Sequence, residues 1–423
     1  MIETLTNEAA AAPARMNQPI LIHYSGANRP GLTTQLIGIL AEHGASILDL
    51  SQAVVQGMLV LGLLIELPAA QGSEALWDRL TRHAEGLKLK VLFTTLTPES
   101  LADWNLARNN GRDARFVVTV LGNTISAEAL ARVTGVLATQ GLNVDRVERL
   151  SGSLSAAHTT GYACLELHAG GPLLDETGMR AAFLALTDEL AIDVAFQRES
   201  LFRRNRRLFV FDMDSTLIQG EVIDELAKIA GVGDQVVQIT ASAMRGEIEF
   251  QESFRRRVAL LKGLPQDRVF ELLEKIPLMD GAERLFRTLR RLGIKTAVLS
   301  GGFTFFGSYL QQRLGVDYVF ANELECSNGQ VTGEVTGSIV DGARKAQLLQ
   351  ELAEREGITL DQVVAVGDGA NDLPMLKLAG MGVAFHAKPL VRQTAQHALT
   401  HLGLDSLLYL VGLRDQDITA LEE

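Results

Sequence analysis

Residues 207–221 read Arg207-Leu208-Phe209-Val210-Phe211-Asp212-Met213-Asp214-Ser215-Thr216-Leu217-Ile218-Gln219-Gly220-Glu221, and the change of character inside this stretch decides the fold. Leu208 to Phe211 is a continuous apolar run, the pattern of a parallel strand covered on both faces. It stops abruptly at Asp212 and passes into a polar turn. Similar runs recur at Thr296-Ala297-Val298-Leu299 and at Val363-Val364-Ala365-Val366, each followed by a polar or Gly-rich turn and then helical periodicity. This predicts a doubly wound α/β sheet, in which ligands sit beyond the carboxyl ends of the strands. Between the first two runs, about 219–278 reads as a mostly helical insert over the sheet. Tyr318 to Gly337 breaks the rhythm with a hairpin predicted around Asn328-Gly329.

The three turns carry the chemistry. Asp212 and Asp214 follow the first run, Ser300-Gly301-Gly302 the second, and Gly367-Asp368-Gly369-Ala370-Asn371-Asp372 the third. Lys345 stands before a helical segment and adds one cation. Carboxylates gathered there repel by about 4 kcal/mol per pair at 4 Å and an effective dielectric near 20, so a positive group must join them. Oxygen-only donors point to Mg²⁺, which takes one or two carboxylates and shares its shell with a substrate phosphate. Glycines let backbone N–H groups approach an anion, and a hydroxyl and an ammonium complete a phosphate cradle. An aspartate nucleophile in such a cradle divides a hard displacement into two easier ones.

These turns and Lys345 resemble, in order, the four motifs of the haloacid dehalogenase superfamily. With Glu221 and Met244 to Arg257 included, the resemblance narrows to its phosphoserine phosphatase branch and covers roughly Arg207 to the end. The resemblance implies an α/β phosphatase domain (201–423) with a cap insert that hydrolyses O-phospho-L-serine to L-serine in the last step of serine biosynthesis. It implies that Asp212 is the nucleophile and that Asp214 is the acid and then the base. Mg²⁺ is expected on Asp212, the main-chain carbonyl of Asp214, and Asp368, with Asp372 supporting them. Ser300, Gly301 and Lys345 are expected on the phosphoryl oxygens and Asn371 near the substrate. Glu221 is expected to receive the ammonium and Arg257 the carboxylate, with Met244 and Phe250 as the apolar cap surface. A guanidinium reading a carboxylate has a physical reason of its own, its bidentate geometry. His386 stands where relatives often carry Asn.

The front half differs in kind. From Pro19 the order strand–helix–strand–strand–helix–strand runs to Thr95 and returns from Arg115 to Gln197, a period of about 95 residues. Each α+β unit resembles an ACT domain, expected over 19–97 and 115–200 with a connector at 98–114 and a mobile tail at 1–18. ACT units often bind amino acids and pair through their sheets, which implies L-serine as a regulatory ligand and a homodimer; a purely structural pairing role is the alternative. Asn28-Arg29-Pro30-Gly31 resembles the ligand-side loop, with Asn28 expected to cap the following helix. The second copy has Gly122-Asn123-Thr124-Ile125 there and lacks that resemblance.

Composition sets the frame. At 423 residues the chain is too long for one core, and 51 acidic against 39 basic residues give a formal charge of -12. Such a chain has no broad positive field for nucleic acid or anionic lipid, and 5% aromatic content offers no base-stacking platform. Met1 to Met16 lacks the basic and apolar pattern of a secretory signal, and Gly57 to Ile65 is far short of a membrane span. Cys164 and Cys326 suit a reducing cytoplasm and read as buried thiols. Arg203-Arg204-Asn205-Arg206-Arg207 is read as solvating a domain junction or meeting an acidic partner face. His397 and His401 read as a surface pair on one helix face.

Overall fold

A computed structural model describes residues 19–68, 73–97, 99–100, 114–152, 161–245 and 247–422. The expected tail at 1–18, and nearly all of the expected connector at 98–114, lie outside the described residues. The chain divides between residues 112 and 113 into two compact units.

The first unit is an antiparallel sheet of β1 (Ile20–Ala27), β2 (Ser46–Val55), β3 (Met58–Glu66) and β4 (Lys90–Thr95), in the order β2-β3-β1-β4. Helices Leu32–Glu42 and Ser73–Gly86 complete the expected βαββαβ order. Gln56 and Gly57 both have positive φ (48° and 80°), which matches the twist of a two-residue hairpin between β2 and β3. Alternation in β1 turns Ile22 and Tyr24 into a core with Leu36, Leu61 and Leu80. On β2 the large side chains Leu48, Val54 and Val55 remain exposed. Asn28 does not cap the first helix. Gly31, with φ 84°, takes the N-cap position without a side-chain bond, while Asn28 N–H donates to the Gly57 carbonyl at 2.8 Å.

The second unit contains the other module and the hydrolase domain. β5 (Arg115–Gly122), β6 (Asn143–Arg149), β7 (Ala163–Gly170) and β8 (Asp193–Arg198) form a sheet in the order β6-β7-β5-β8, the first module's order repeated. Yet β5 is buried from Phe116 to Gly122 without alternation. Its second face is covered, because Leu121, Leu150, Cys164 and Ala195 belong to the same apolar core as Phe209, Leu402 and Leu408. The joint is also polar. Asp193 accepts from Thr400 N (2.7 Å) and His401 N (3.1 Å), Gln197 Nε2 donates to the Leu410 carbonyl (3.0 Å), and buried Arg203 pairs with buried Glu166.

The hydrolase sheet has seven strands in the order β12-β11-β10-β9-β13-β14-β15. They are β9 (Leu208–Phe211), β10 (Lys295–Phe303), β11 (Tyr318–Ser327), β12 (Gln330–Thr336), β13 (Val363–Gly367), β14 (Met381–Phe385) and β15 (His397–Leu399). All neighbours pair in parallel except the β11–β12 hairpin, which turns at Asn328 and Gly329 with φ 51° and 75°. Central β9 is completely buried, and each of its four apolar side chains stabilises by about 1.5–3 kcal/mol. Helices Val222–Ala230, Gly233–Met244, Phe250–Ala259 and Gln266–Phe270 form the expected insert. A ring ladder, Phe250–Phe254 (6.3 Å) and Phe254–Phe303 (5.9 Å), joins that insert to β10.

Three expectations need correction. His397 opens buried β15 and His401 Nε2 lies 3.1 Å from the Thr187 carbonyl, so they form no surface helix pair. Cys164 is buried, but Cys326 is exposed at the hairpin. Arg203 and Arg206 are buried rather than solvated, because the second module closes over them. No helix among the described residues is long and apolar enough to cross a membrane.

Candidate active site

Strand β9 ends at Phe211, so Asp212 emerges beside Gly367 at the end of β13, and its N–H donates to the Val366 carbonyl at 2.9 Å. The helix Gly342–Arg355, N-capped by Asp341, brings Lys345 beneath both turns with no exposure. Lys345 Nζ lies 2.7 Å from Asp212 Oδ1 and 2.7 Å from Asp372 Oδ1. Burial opposes its charge, but Asp212 and Asp372 raise the ammonium pKa overall. Asp372 Oδ2 also accepts from Gly369 N at 3.0 Å, so both of its oxygens are occupied.

Carboxylate oxygens of Asp212, Asp368 and Asp372 lie within 4.8 Å of one another. Burial, followed by the charge of Asp372, pushes Asp212 well up, and the same two causes push Asp368 to about 7. One lysine therefore under-compensates three gathered carboxylates. This donor set fits a hard divalent cation, with Asp212 and Asp368 offering oxygens and Asp372 committed to Lys345 and Gly369. Asp214 points its side chain elsewhere. Its Oδ1 accepts from Val222 N at 2.8 Å, and burial together with Glu221 pushes its carboxyl up to about 8.

On the β10 side, Ser300 is fully buried and its Oγ accepts from Gly302 N at 2.8 Å. A Cβ on Gly302 would lie 2.5 Å from Asp214 Oδ2 and 2.6 Å from Met213 Cε. Only a residue without a side chain lets β10 approach Asp214 this closely. A Cβ on Gly301 would meet the Phe250 ring at 3.3 Å, so the insert rests on this turn. The arrangement can hold a phosphoryl group between a nucleophile, a protonated carboxyl and an ammonium.

Residues 206–380 match the haloacid dehalogenase-like hydrolase family, and residues 18–94 and 114–197 each match an ACT domain. The chain is 40% identical over 403 residues to a phosphoserine phosphatase of Streptomyces coelicolor, covering 95% of this chain and 94% of that one. It is also 40% identical over 412 residues to phosphoserine phosphatase SerB2 of Mycobacterium tuberculosis, covering 97% and 96%. The chain belongs to the phosphoserine phosphatases of the haloacid dehalogenase-like family. Among solved structures, a haloacid dehalogenase family hydrolase from Salmonella enterica serovar Typhi is similar at TM-score 0.62 and 30% identity, covering 70% of this chain and 98% of that one.

Of the other residues expected from the phosphoserine phosphatase resemblance, Glu221 and Arg257 lie near Asp214, and Asn371 adjoins Asp372. Glu221 opens the insert and accepts from Ser215 Oγ at 3.3 Å; burial, then Asp224, raises its pKa. Half-buried Arg257 faces Glu221, Asp224 and Asp214, and its buried Nε has no hydrogen-bond partner among the described residues. Asn371 Nδ2 lies 3.5 Å from Asp372 Oδ1. Met244 closes its helix, but its side chain lies outside the described residues. Asn28, Arg29, Pro30 and Gly31 form an exposed loop in the first unit. His386 has φ 45°, in the left-handed region that non-Gly residues adopt uncommonly and in which Asn and His are enriched.

Sequence reasoning missed several supports. Asn322 accepts from Val340 N and donates to the Gly301 carbonyl, both at 2.8 Å, and so fixes the phosphate-side turn. Thr216 Oγ1 reaches Asp368 Oδ1 at 3.5 Å. Gly302 was visible in its motif, but its closeness to Asp214 was not; Asn322 lies in the hairpin region and carried no local signal.

Proposed function

We propose that this chain is a Mg²⁺-dependent phosphatase that hydrolyses O-phospho-L-serine to L-serine and phosphate through an aspartyl phosphate on Asp212. The observation that carries the reading is Lys345 bridging Asp212 Oδ1 and Asp372 Oδ1 at 2.7 Å, with Asp214, whose carboxyl pKa is raised by burial and Glu221, on the same turn as Asp212. Lys345 and Met213 N engage Asp212 Oδ1, leaving Oδ2 for attack on phosphorus. As the phosphorus–oxygen ester bond breaks, Asp214 gives its proton to the departing seryl oxygen. Asp214 then takes a proton from water as that water attacks the acyl phosphate, releasing phosphate and restoring Asp212.

Mg²⁺ bound by Asp212, Asp368 and the Asp214 main-chain carbonyl supplies charge neutralisation for the phosphoryl oxygens. Ser300, the Gly301 amide and Lys345 hold those oxygens; Glu221 takes the ammonium and Arg257 the carboxylate. Phe250 against Gly301 supports a cap that keeps bulk water from the intermediate. Two unpaired thiols, Cys164 and Cys326, fit a reducing cytoplasm. The exposed apolar residues Leu48, Val54 and Val55 on β2 support pairing of first modules into a homodimer, with L-serine at the Asn28–Gly31 loop as regulator.

The deciding experiment is phosphate release from O-phospho-L-serine with and without Mg²⁺, in wild type and Asp212→Asn. Activity should require the metal and vanish in the variant; substantial turnover by Asp212→Asn would sink the mechanism. The same assay with added L-serine tests regulation, and light scattering tests the dimer.

A further inference from the structure

The amino ends of the parallel strands hold a second cavity, of about 210 Å³. Its walls come from both domains of the second unit: Glu176 and Arg180 of the helix Glu176–Leu190, Phe196 and Arg198 of β8, and Arg206 and His397, which lie just before β9 and at the start of β15. Asp212 stands at the opposite end of β9, six residues or about 20 Å from Arg206, so this cavity is separate from the catalytic crevice.

Its charges do not balance locally. Glu176 pairs with two arginines: Oε1 accepts from Arg180 (2.9 and 3.3 Å), and Oε2 accepts from Arg198 (3.3 Å). Arg206 is 8% exposed; its guanidinium donates to the Asp361 main-chain carbonyl and also feels the Asp361 carboxylate, so the lining sets three arginines (Arg180, Arg198, Arg206) against two carboxylates (Glu176, Asp361). Arg206 Nε and His397 Nδ1 are buried and have no hydrogen-bond partner among the described residues. His397 is itself only 7% exposed. Burial pulls Arg206 down to about 10 against the opposing charge of Asp361, and burial, followed by Arg180, Arg206 and Arg203, pulls His397 down to about 3.

We infer that this cavity binds a small carboxylate anion, held by Arg206 and His397 and packed against Phe196, at the joint between the second ACT domain and the hydrolase sheet. A nearly buried guanidinium that lines the cavity gains a charge-assisted partner there. At about 30 Å³ per water, the cavity has room for about seven waters, enough for a short-chain acid. Occupancy would tie Arg206 of the hydrolase domain to the face that carries Phe196.

Calorimetric titration of the full chain with sodium butyrate tests this directly. Binding is expected in the low-millimolar range or tighter. Arg206→Gln should weaken it by about tenfold to a hundredfold, the range for a charged hydrogen bond. Arg257→Ala, on the catalytic side, should leave it unchanged. Absence of binding up to about 50 mM overturns the proposal, as does binding lost with Arg257→Ala but kept in Arg206→Gln. His397→Leu supplies the same comparison if Arg206→Gln does not fold: butyrate binding that survives in it unweakened also overturns the site. A parallel sulfate titration distinguishes the anion class. Sulfate binding tighter than butyrate with the same Arg206 dependence overturns the carboxylate assignment.

Discussion

Gln251 donates from Nε2 to Asp341 Oδ2 at 2.7 Å, tying the cap insert to the residue that N-caps the helix carrying Lys345. Asp341 Oδ1 meanwhile accepts from Arg344 N at 2.9 Å, and these two hydrogen bonds, the Arg344 one first, hold its carboxyl below its usual pKa. Cap position and phosphate-site cation thus share one carboxylate. Gln251→Ala should raise KM for O-phospho-L-serine by about two- to tenfold, the worth of one net hydrogen bond, with little change in global stability. Asp341→Ala should add a loss of about 1 kcal/mol from the missing helix cap. Steady-state kinetics and urea unfolding of both variants separate the effects; equal KM in Gln251→Ala and wild type refutes the link.

Gly302→Ala tests the close approach of β10 to Asp214. The new Cβ would sit 2.5 Å from Asp214 Oδ2, so the carboxyl must move. A displacement of about 1 Å in a catalytic group costs about a hundredfold, so kcat should drop by that order with the fold retained. Near-wild-type kcat in a folded variant would show that Asp214 need not stand where it does.

Arg257→Ala should separate recognition from chemistry. The side chain is half-buried and faces Glu221, Asp224 and Asp214. The kcat/KM for O-phospho-L-serine should fall by about ten- to a hundredfold, while an aryl phosphate without a carboxylate should change by about twofold at most. Equal losses on both substrates would remove Arg257 from substrate recognition.

His397 predicts a specific acid limb in stability. Its folded pKa is lowered to about 3 from an ordinary 6.5, chiefly by burial and then by Arg180 and Arg206. The unfolded chain therefore binds the extra proton between those values. Stability is fully present above pH 6.5 and erodes as pH falls toward about 3, by up to about 1.4 kcal/mol per pH unit. Replacing His397 with Leu should flatten this limb relative to wild type in urea unfolding at pH 6.5 and pH 4.5. Parallel curves for the two proteins would contradict it.

Local pattern determined a great deal about this protein by itself. Apolar run, polar turn and helix, repeated at Asp212, Ser300 and Asp368, are short-range features, and strand topology then forces three such turns to one sheet edge. The first βαββαβ module was legible because its one-sided sheet alternates in β1, and the second because its order of elements repeats the first. Tertiary structure alone decided what covers what. Phe116 to Leu121 is buried throughout, Thr119 included, because its second face meets the hydrolase core, whereas β2 leaves its large side chains bare. The same order of elements thus has two fates, set by a partner surface far away in sequence. Nor could spacing place Arg206 and His397, 191 positions apart, in the wall of one cavity, or turn an apparent surface histidine pair into a strand start and a loop. Burial, and the electrostatic cost that comes with it, is a property of the packed molecule, and it is what distinguishes a basic run in solvent from an arginine that lacks an anion.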